Sequence, residues 1–379
     1  MYLSLSCKKS FILESIKSII ILTILLMFSL QQFFESGLVT YISVSIVGLS
    51  LIALVFLYKI SYIHMILILV SIIFLFFFKI ISGYFTANPV TFNSYVALLT
   101  FFILSLLILS YDKNYLILKN IYYFLFSYVL FIFMLLISGT DPNEIWLNSS
   151  RNTTSLIFVT LGAVFLIQNQ ILKEVKYPIV FYFLVVFVSI LSLGRSGIIT
   201  SIILFLTYII FLYKEVNNKN QIFLFLAFFV LSVLLFLNFK IALNSLMSSS
   251  NFEYLLAKGI TDDSRSIMLQ EFINYYNFNN FLFGMNLLEL PYISSFNGNP
   301  HNSYIDLHSK FGFLALFIYI GIIFSLIKFI YRFRYIELLA SVVILLRLST
   351  DSAFGVIIFP LIYLCVYGFY SKNFIKNNN

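Results

Sequence analysis

The chain has 379 residues, of which 61% are hydrophobic and 10% charged, with a formal net charge of +8 and a mean hydropathy of +1.01. A soluble domain needs far more charge than this to cover its surface, so that class is excluded. Length alone would allow two or three soluble domains. Apolar runs recur along almost the whole chain, however, each long enough to cross a hydrocarbon core of roughly 30 Å as a helix. The expected fold is therefore all-α, a single polytopic transmembrane helical bundle over residues 1–379 with about 12 crossings.

In chain order, Lys8 and Lys9 precede the first apolar run in the manner of a signal sequence. The run is long and lacks a small-x-small cleavage pattern, so it reads as an uncleaved first helix. The crossings are expected at 15–34, 38–57, 60–81, 94–110, 116–137, 153–171, 178–194, 196–213, 221–238, 311–328, 336–350 and 353–370. Twelve crossings place both termini on one side. With the termini inside, the inner side takes 15 of the 23 Lys and Arg and the outer side 8, while the acids divide 5 inside and 10 outside. Basic residues gather on the cytoplasmic side of membrane proteins. The positive net charge is thus a topology signal and does not argue for nucleic acid.

Inner loops are short, leaving no room for a nucleotide-binding domain, and no GxxxxGK[ST] motif appears. No nucleotide partner is expected. Cys7 and Cys365 read as isolated thiols, since neither has a CxxC or ligand-like neighbour. The one long loop, 239–310, is outer. A short amphipathic helix is expected near 264–277, capped by Asp263 or Ser264, with Ile267, Met268, Phe272 and Tyr275 on its apolar side. Gly284, Pro291, Gly298 and Pro300 punctuate the rest.

Outer cations are the minority, and three outer spots stand out. At Leu193-Gly194-Arg195-Ser196-Gly197 two helices meet with almost no loop, and the glycines permit a tight reversal. A helix-end arginine that snorkels is the plain alternative there. At Asp262-Asp263-Ser264-Arg265 an arginine in a first helical turn opposes the helix dipole, which a shared anionic ligand would offset. Pairing with Asp262 is the plain alternative. At Asn299-Pro300-His301-Asn302-Ser303-Tyr304, proline forces an extended approach and Asn302 or Ser303 can cap the helix that follows. His301 would share a side with Tyr304 and His308, and a neutral imidazole there could take a proton from a hydroxyl. A capping histidine is the plain alternative. Arg347 and Asp351 have the i,i+4 spacing of a structural ion pair. Arg151-Asn152-Thr153-Thr154 is a polar stretch leading into an apolar helix.

Two arginines and a histidine on one face suit a lipid-linked diphosphate. Guanidinium forks can hold the diphosphate bidentately and stabilise charge leaving an anomeric carbon. The histidine can activate an attacking sugar hydroxyl; Asp262 and Asp306 are the other candidate bases. The first outer loop holds only Glu35, so a metal-independent transfer with no cofactor is expected.

These motifs carry a family resemblance. Ser192-Leu193-Gly194-Arg195-Ser196-Gly197 resembles the "SRSG"-type turn of the O-antigen polymerase and ligase superfamily. Asp263-Ser264-Arg265 through Asn280-Phe281-Leu282-Phe283-Gly284-Met285-Asn286 resembles its large-loop pattern, where an arginine begins a helix and an "LFG.G" turn follows. Asn286 stands where a second glycine is usual. Asn299-Pro300-His301-Asn302-Ser303-Tyr304-Ile305, followed by Gly312, resembles the "HNsyl…G" signature, and Arg151-Asn152 resembles the polar start of an earlier helix.

The resemblance implies glycan transfer from an undecaprenyl-diphosphate carrier outside the bacterial cytoplasmic membrane. Arg195 and Arg265 would bind diphosphate, and His301 would serve the acceptor or leaving group. Arg151, Asp263, Asn302 and Tyr304 are the further candidates for substrate contact. A chain-length regulator is a possible partner. The wording around His301 is closer to the polymerases, which extend one lipid-linked glycan with repeat units from another. A ligase moving finished glycan onto lipid A core and a lipid-linked oligosaccharide transporter are the alternatives.

Overall fold

The computed structural model describes every residue except 1, 31–36, 59, 87–91, 112–114, 147–150, 173–178, 216–262, 353–357 and 371–379. The described residues form fifteen α-helices and no strand. The first eight are α1 (Tyr2–Leu30), α2 (Gly37–Leu57), α3 (Tyr62–Phe85), α4 (Phe92–Tyr111), α5 (Tyr115–Ile137), α6 (Asn152–Leu172), α7 (Ile179–Leu191) and α8 (Arg195–Glu215). After 216–262 come the short α9 (Asp263–Asn274), α10 (Phe278–Phe283) and α11 (Pro291–Ser294). The chain ends with α12 (Ser303–Phe311), α13 (Leu314–Tyr331), α14 (Tyr335–Ser349) and α15 (Ile358–Tyr370).

Eleven of the twelve expected helices have a counterpart; the one at 221–238 lies outside the described residues, as does the loop up to 262. Five described stretches are long and apolar enough to cross a membrane: Tyr62–Phe85, Leu118–Ile137, Asn152–Gln170, Arg195–Lys214 and Leu314–Tyr331. Three boundaries differ from expectation. The first helix begins at Tyr2 instead of 15, because no glycine or proline interrupts 2–30 and backbone bonding runs on through Lys8 and Lys9. The seventh helix stops at Leu191, because Leu193 adopts a left-handed φ of 55°.

The third difference is at the start of the expected helix 311–328, which begins at Leu314 and is preceded by a separate helix, α12. Gly312, with φ 50°, breaks α12 from α13. A Cβ at this position would overlap the Leu282 carbonyl oxygen, so only glycine fits the approach of α10. The Phe313 N–H donates to that carbonyl at 3.2 Å, and the Met285 N–H donates to Ser309 O at 2.8 Å. The break therefore seats the loop on α12.

Helix α6 lies at the centre with nearly all of its apolar stretch buried, while α3 is peripheral and mostly exposed. Helices α5, α7, α8 and α14 pack around α6, and α15 packs against both α13 and α4. The backbones of α13 and α15 come close at Gly321 and Gly368, where a Cβ on Gly368 would overlap the Gly321 carbonyl. Small residues at helix crossings allow this in membrane bundles.

The loop helices have a core of their own, made of Met268, Phe272, Met285, Leu287, Leu290, Ile293 and Ile305. The apolar side of α9 is narrower than expected. Met268 and Phe272, one turn apart, are buried, whereas Ile267 and Tyr275 are exposed. Glu271 on the same helix accepts the Tyr292 and Ile293 N–H groups at 2.8 and 2.9 Å, fixing the start of α11.

Candidate functional site

The starts of α6, α8 and α12 meet the end of α14 at one end of the bundle. Leu193 carries the left-handed conformation of the reversal between α7 and α8. The glycines serve close approach instead. A Cβ on Gly194 would crowd Asn152 Oδ1, and one on Gly197 would overlap Ser155 Oγ. The first turn of α8 is thus pressed onto the first turn of α6. Arg195 is the first residue of α8 and Arg151 immediately precedes α6. Both are half-buried.

Arg347 ties these turns together. Its side chain is fully buried near the end of α14. Nη2 donates to the Asn152 carbonyl at 2.7 Å and to Ser155 Oγ at 3.0 Å. Nη1 donates to Thr350 Oγ1 at 3.0 Å and to Ser196 Oγ at 3.4 Å. The expected i,i+4 pair with Asp351 exists at 3.8 Å, but it is one contact of five. Arg347 spans three helices, and its role extends well beyond a local ion pair. Its Nε and Asp351 Oδ2 are buried without a hydrogen bond.

Asp351 links this arginine to His301. Its Oδ1 lies 3.5 Å from His301 Nδ1. A carboxylate on this side favours the proton on Nδ1 and leaves Nε2 as an acceptor. The backbone holds the imidazole in place. His301 has φ 47°, its N–H donates to Asn299 Oδ1 at 2.8 Å, and its ring meets Phe296 edge-on at 5.8 Å. Ser352 Oγ also donates to Asn299 Oδ1, and Ser303 Oγ donates to the Asp351 carbonyl at 2.7 Å. Two strands of contact thus fix α12 to the end of α14.

Asn302 caps α12, accepting the Tyr304 and Ile305 N–H groups at 2.9 and 3.3 Å. Helical spacing does not extend back to His301, which precedes the cap in a left-handed conformation. His301, Tyr304 and His308 accordingly face different partners. The Tyr304 hydroxyl donates to the Leu345 carbonyl at 3.0 Å, and burial pushes its pKa up. His308 Nε2 lies 2.6 Å from the Tyr276 hydroxyl, and burial lowers its pKa. Asp306 pairs with Lys310 at 2.8 Å, so its carboxylate is already engaged. Asp262 lies outside the described residues.

Asp263 is the first residue of α9, and the capping position before it lies outside the described residues. Arg265 sits in the first turn, half-buried, close enough for its charge to repel that of Arg347. This gathers cationic groups from α9 and α14 beside the α8 turn. An anion would relieve that repulsion. Asn286, which replaces a usual glycine, has an ordinary φ of −77° and accepts the Leu288 N–H at 3.1 Å. The departure therefore introduces no backbone strain.

From the sequence Arg347 and Asp351 read as a local ion pair, and nothing marks Ser155 or the Asn299 side chain as their neighbours. One signal was available: an arginine within an apolar helix is a functional candidate by default, because its burial is costly without partners.

Residues 180–320 match the family model described as O-antigen ligase. The match supports the O-antigen ligase and polymerase superfamily, whose members are glycosyl-transferring enzymes. It takes in Arg195, Arg265 and His301 and ends before Arg347 and Asp351. No curated protein and no solved structure matches the chain.

Proposed function

We propose that this chain polymerises undecaprenyl-diphosphate-linked oligosaccharide repeat units into O-antigen or capsular-type polysaccharide. The observation that carries the reading is the Asp351 carboxylate between His301 and Arg347, at the bundle end where α6 and α8 begin. The reaction lies on the outer face of the bacterial inner membrane. Both termini are cytoplasmic, twelve helices cross, and 239–310 forms the extracytoplasmic loop.

In this reading Arg195 and Arg265 bind the donor diphosphate, with Arg151 and Asp263 at its edge. His301 Nε2 takes the proton of an acceptor sugar hydroxyl as that oxygen attacks the donor anomeric carbon. The anomeric carbon–oxygen bond breaks, and undecaprenyl diphosphate leaves with the electron pair. The guanidinium groups stabilise the charge that develops on it. Asp351 keeps the imidazole oriented and offsets its positive charge. Neither a metal nor a nucleotide takes part.

The test is the glycan that accumulates in a deletion strain. Single lipid-linked repeats are expected, and the same product is expected from Arg265→Ala and His301→Ala. Long chains made by normally expressed His301→Ala protein would reject the site. A second reading, transfer of finished glycan onto lipid A core, is favoured by the description of the matching family model. Long polymer held on undecaprenyl diphosphate in the deletion strain would establish that reading instead.

A further inference from the structure

We propose that a recess beside the loop helices is a binding subsite for a neutral saccharide unit. The recess has a volume of about 380 Å³ and lies between the end of α3 and the loop that carries α9 to α11. That is within the size range of small-ligand sites. Asn277, Asn279, Asn280, Asn286 and Glu289 supply its polar groups, and Phe85 forms part of its wall.

The chemistry fits a polyol. Each amide offers an acceptor oxygen and two donor hydrogens, and each sugar hydroxyl both donates and accepts. A cluster of amides with a carboxylate can therefore satisfy adjacent hydroxyls together. Several of these groups are already held in place. Asn280 donates to the Tyr275 carbonyl at 2.9 Å, and Asn286 donates to Glu289 at 3.1 Å. Such preorganisation reduces the entropy lost on binding. Phe85 stacks on Phe283 at 4.8 Å with an interplanar angle of 8°, yet remains 54% exposed. The exposed part of this fixed ring can pack against the C–H side of a pyranose.

Charge separates this recess from the arginine site. Among the described residues no Lys, Arg or His lines it, and Glu289 is its one carboxylate. A diphosphate would be repelled, whereas an uncharged sugar would not. The floor is rigidly tied to the site. Met285 and Leu290 line the recess and belong to the same small core as Ile305 on α12. The Met285 N–H also bonds Ser309 of that helix. A sugar held here is thereby fixed relative to the helix that His301 precedes.

The subsite deepens the glycosyl-transfer reading and rests on it only for the source of the sugar. The experiment uses the full chain in detergent with two separate probes. One is the soluble oligosaccharide released by mild acid from the lipid-linked glycan of a deletion strain; the other is inorganic pyrophosphate. Asn279 and Glu289 are exposed, so the Asn279→Ala/Glu289→Gln variant keeps the fold. It is expected to bind the oligosaccharide about tenfold more weakly, a loss near 1.4 kcal/mol, with pyrophosphate binding unchanged. Arg265→Ala is expected to do the reverse. Equal oligosaccharide binding by wild type and the double variant, or none by the wild type, overturns the subsite. If the double variant loses oligosaccharide binding while gene deletion leaves surface glycans unaltered, the subsite stands and the glycosyl-transfer reading falls.

Discussion

Asp351 Oδ1 lies 3.5 Å from Nδ1 of His301, while the other oxygen of that carboxylate lies 3.8 Å from Nη2 of Arg347. One acid thus orients the candidate base and offsets the buried cation that organises the surrounding helix ends. In the proposed mechanism the pairing makes Asp351 a positioning residue, and it leads to a definite order of mutational effects.

His301→Ala should lower the rate of glycan transfer by about 10²- to 10⁴-fold, the usual contribution of a general base. Asp351→Asn should lower it less, because the imidazole keeps its backbone anchor and loses only the carboxylate that orients it. The double variant should be no slower than His301→Ala, since both changes remove one function. Rates on purified lipid-linked repeats measure this. Independent, multiplying losses would show that Asp351 acts apart from His301.

Arg347→Ala should destabilise the protein by roughly 3–5 kcal/mol, because it leaves the buried Asp351 without its cation. It also removes the bonds to Asn152 and Ser155. Arg347→Lys should recover little, since an ammonium cannot reproduce a fork that reaches three helices. Thermal unfolding in detergent reads both changes. A stable Arg347→Ala protein would mean that the α6 and α8 turns hold without it.

Gly197→Ala should cost about 1–3 kcal/mol through overpacking against Ser155. The added methyl also pushes on the side chain that Arg347 contacts, so transfer should fall along with stability. Ser155→Gly in the same chain should restore much of the stability by making room. Absence of any rescue would place the strain elsewhere in the α7–α8 turn.

Acid should loosen the loop through His308. Burial lowers its pKa from 6.5, so the unfolded chain binds the proton more readily than the folded one. Stability from this group is therefore full above the unfolded value and is lost as pH falls below it. Melting temperatures from about pH 7.5 down to about pH 5 should drop more steeply for wild type than for His308→Gln. Parallel curves would show that His308 contributes nothing to the acid response.

The sequence alone determined eleven long helices among the described residues, because an apolar run of sufficient length has one low-cost fate in a bilayer, where every backbone polar group must bond internally. It also determined Arg195, Arg265 and His301 as candidates, since these are polar punctuation in an apolar chain. Local conformation was less legible. The break at Gly312 depends on the Leu282 carbonyl of another helix, and the reversal before α8 turned out to use Leu193. Only the tertiary structure decided the place of Arg347. Its i,i+4 spacing to Asp351 suggests a local pair, but Asn152, Ser155 and Ser196, far away in the chain, supply its other contacts. A buried charge takes whatever partners packing brings to it, and spacing along one helix cannot name partners on two others.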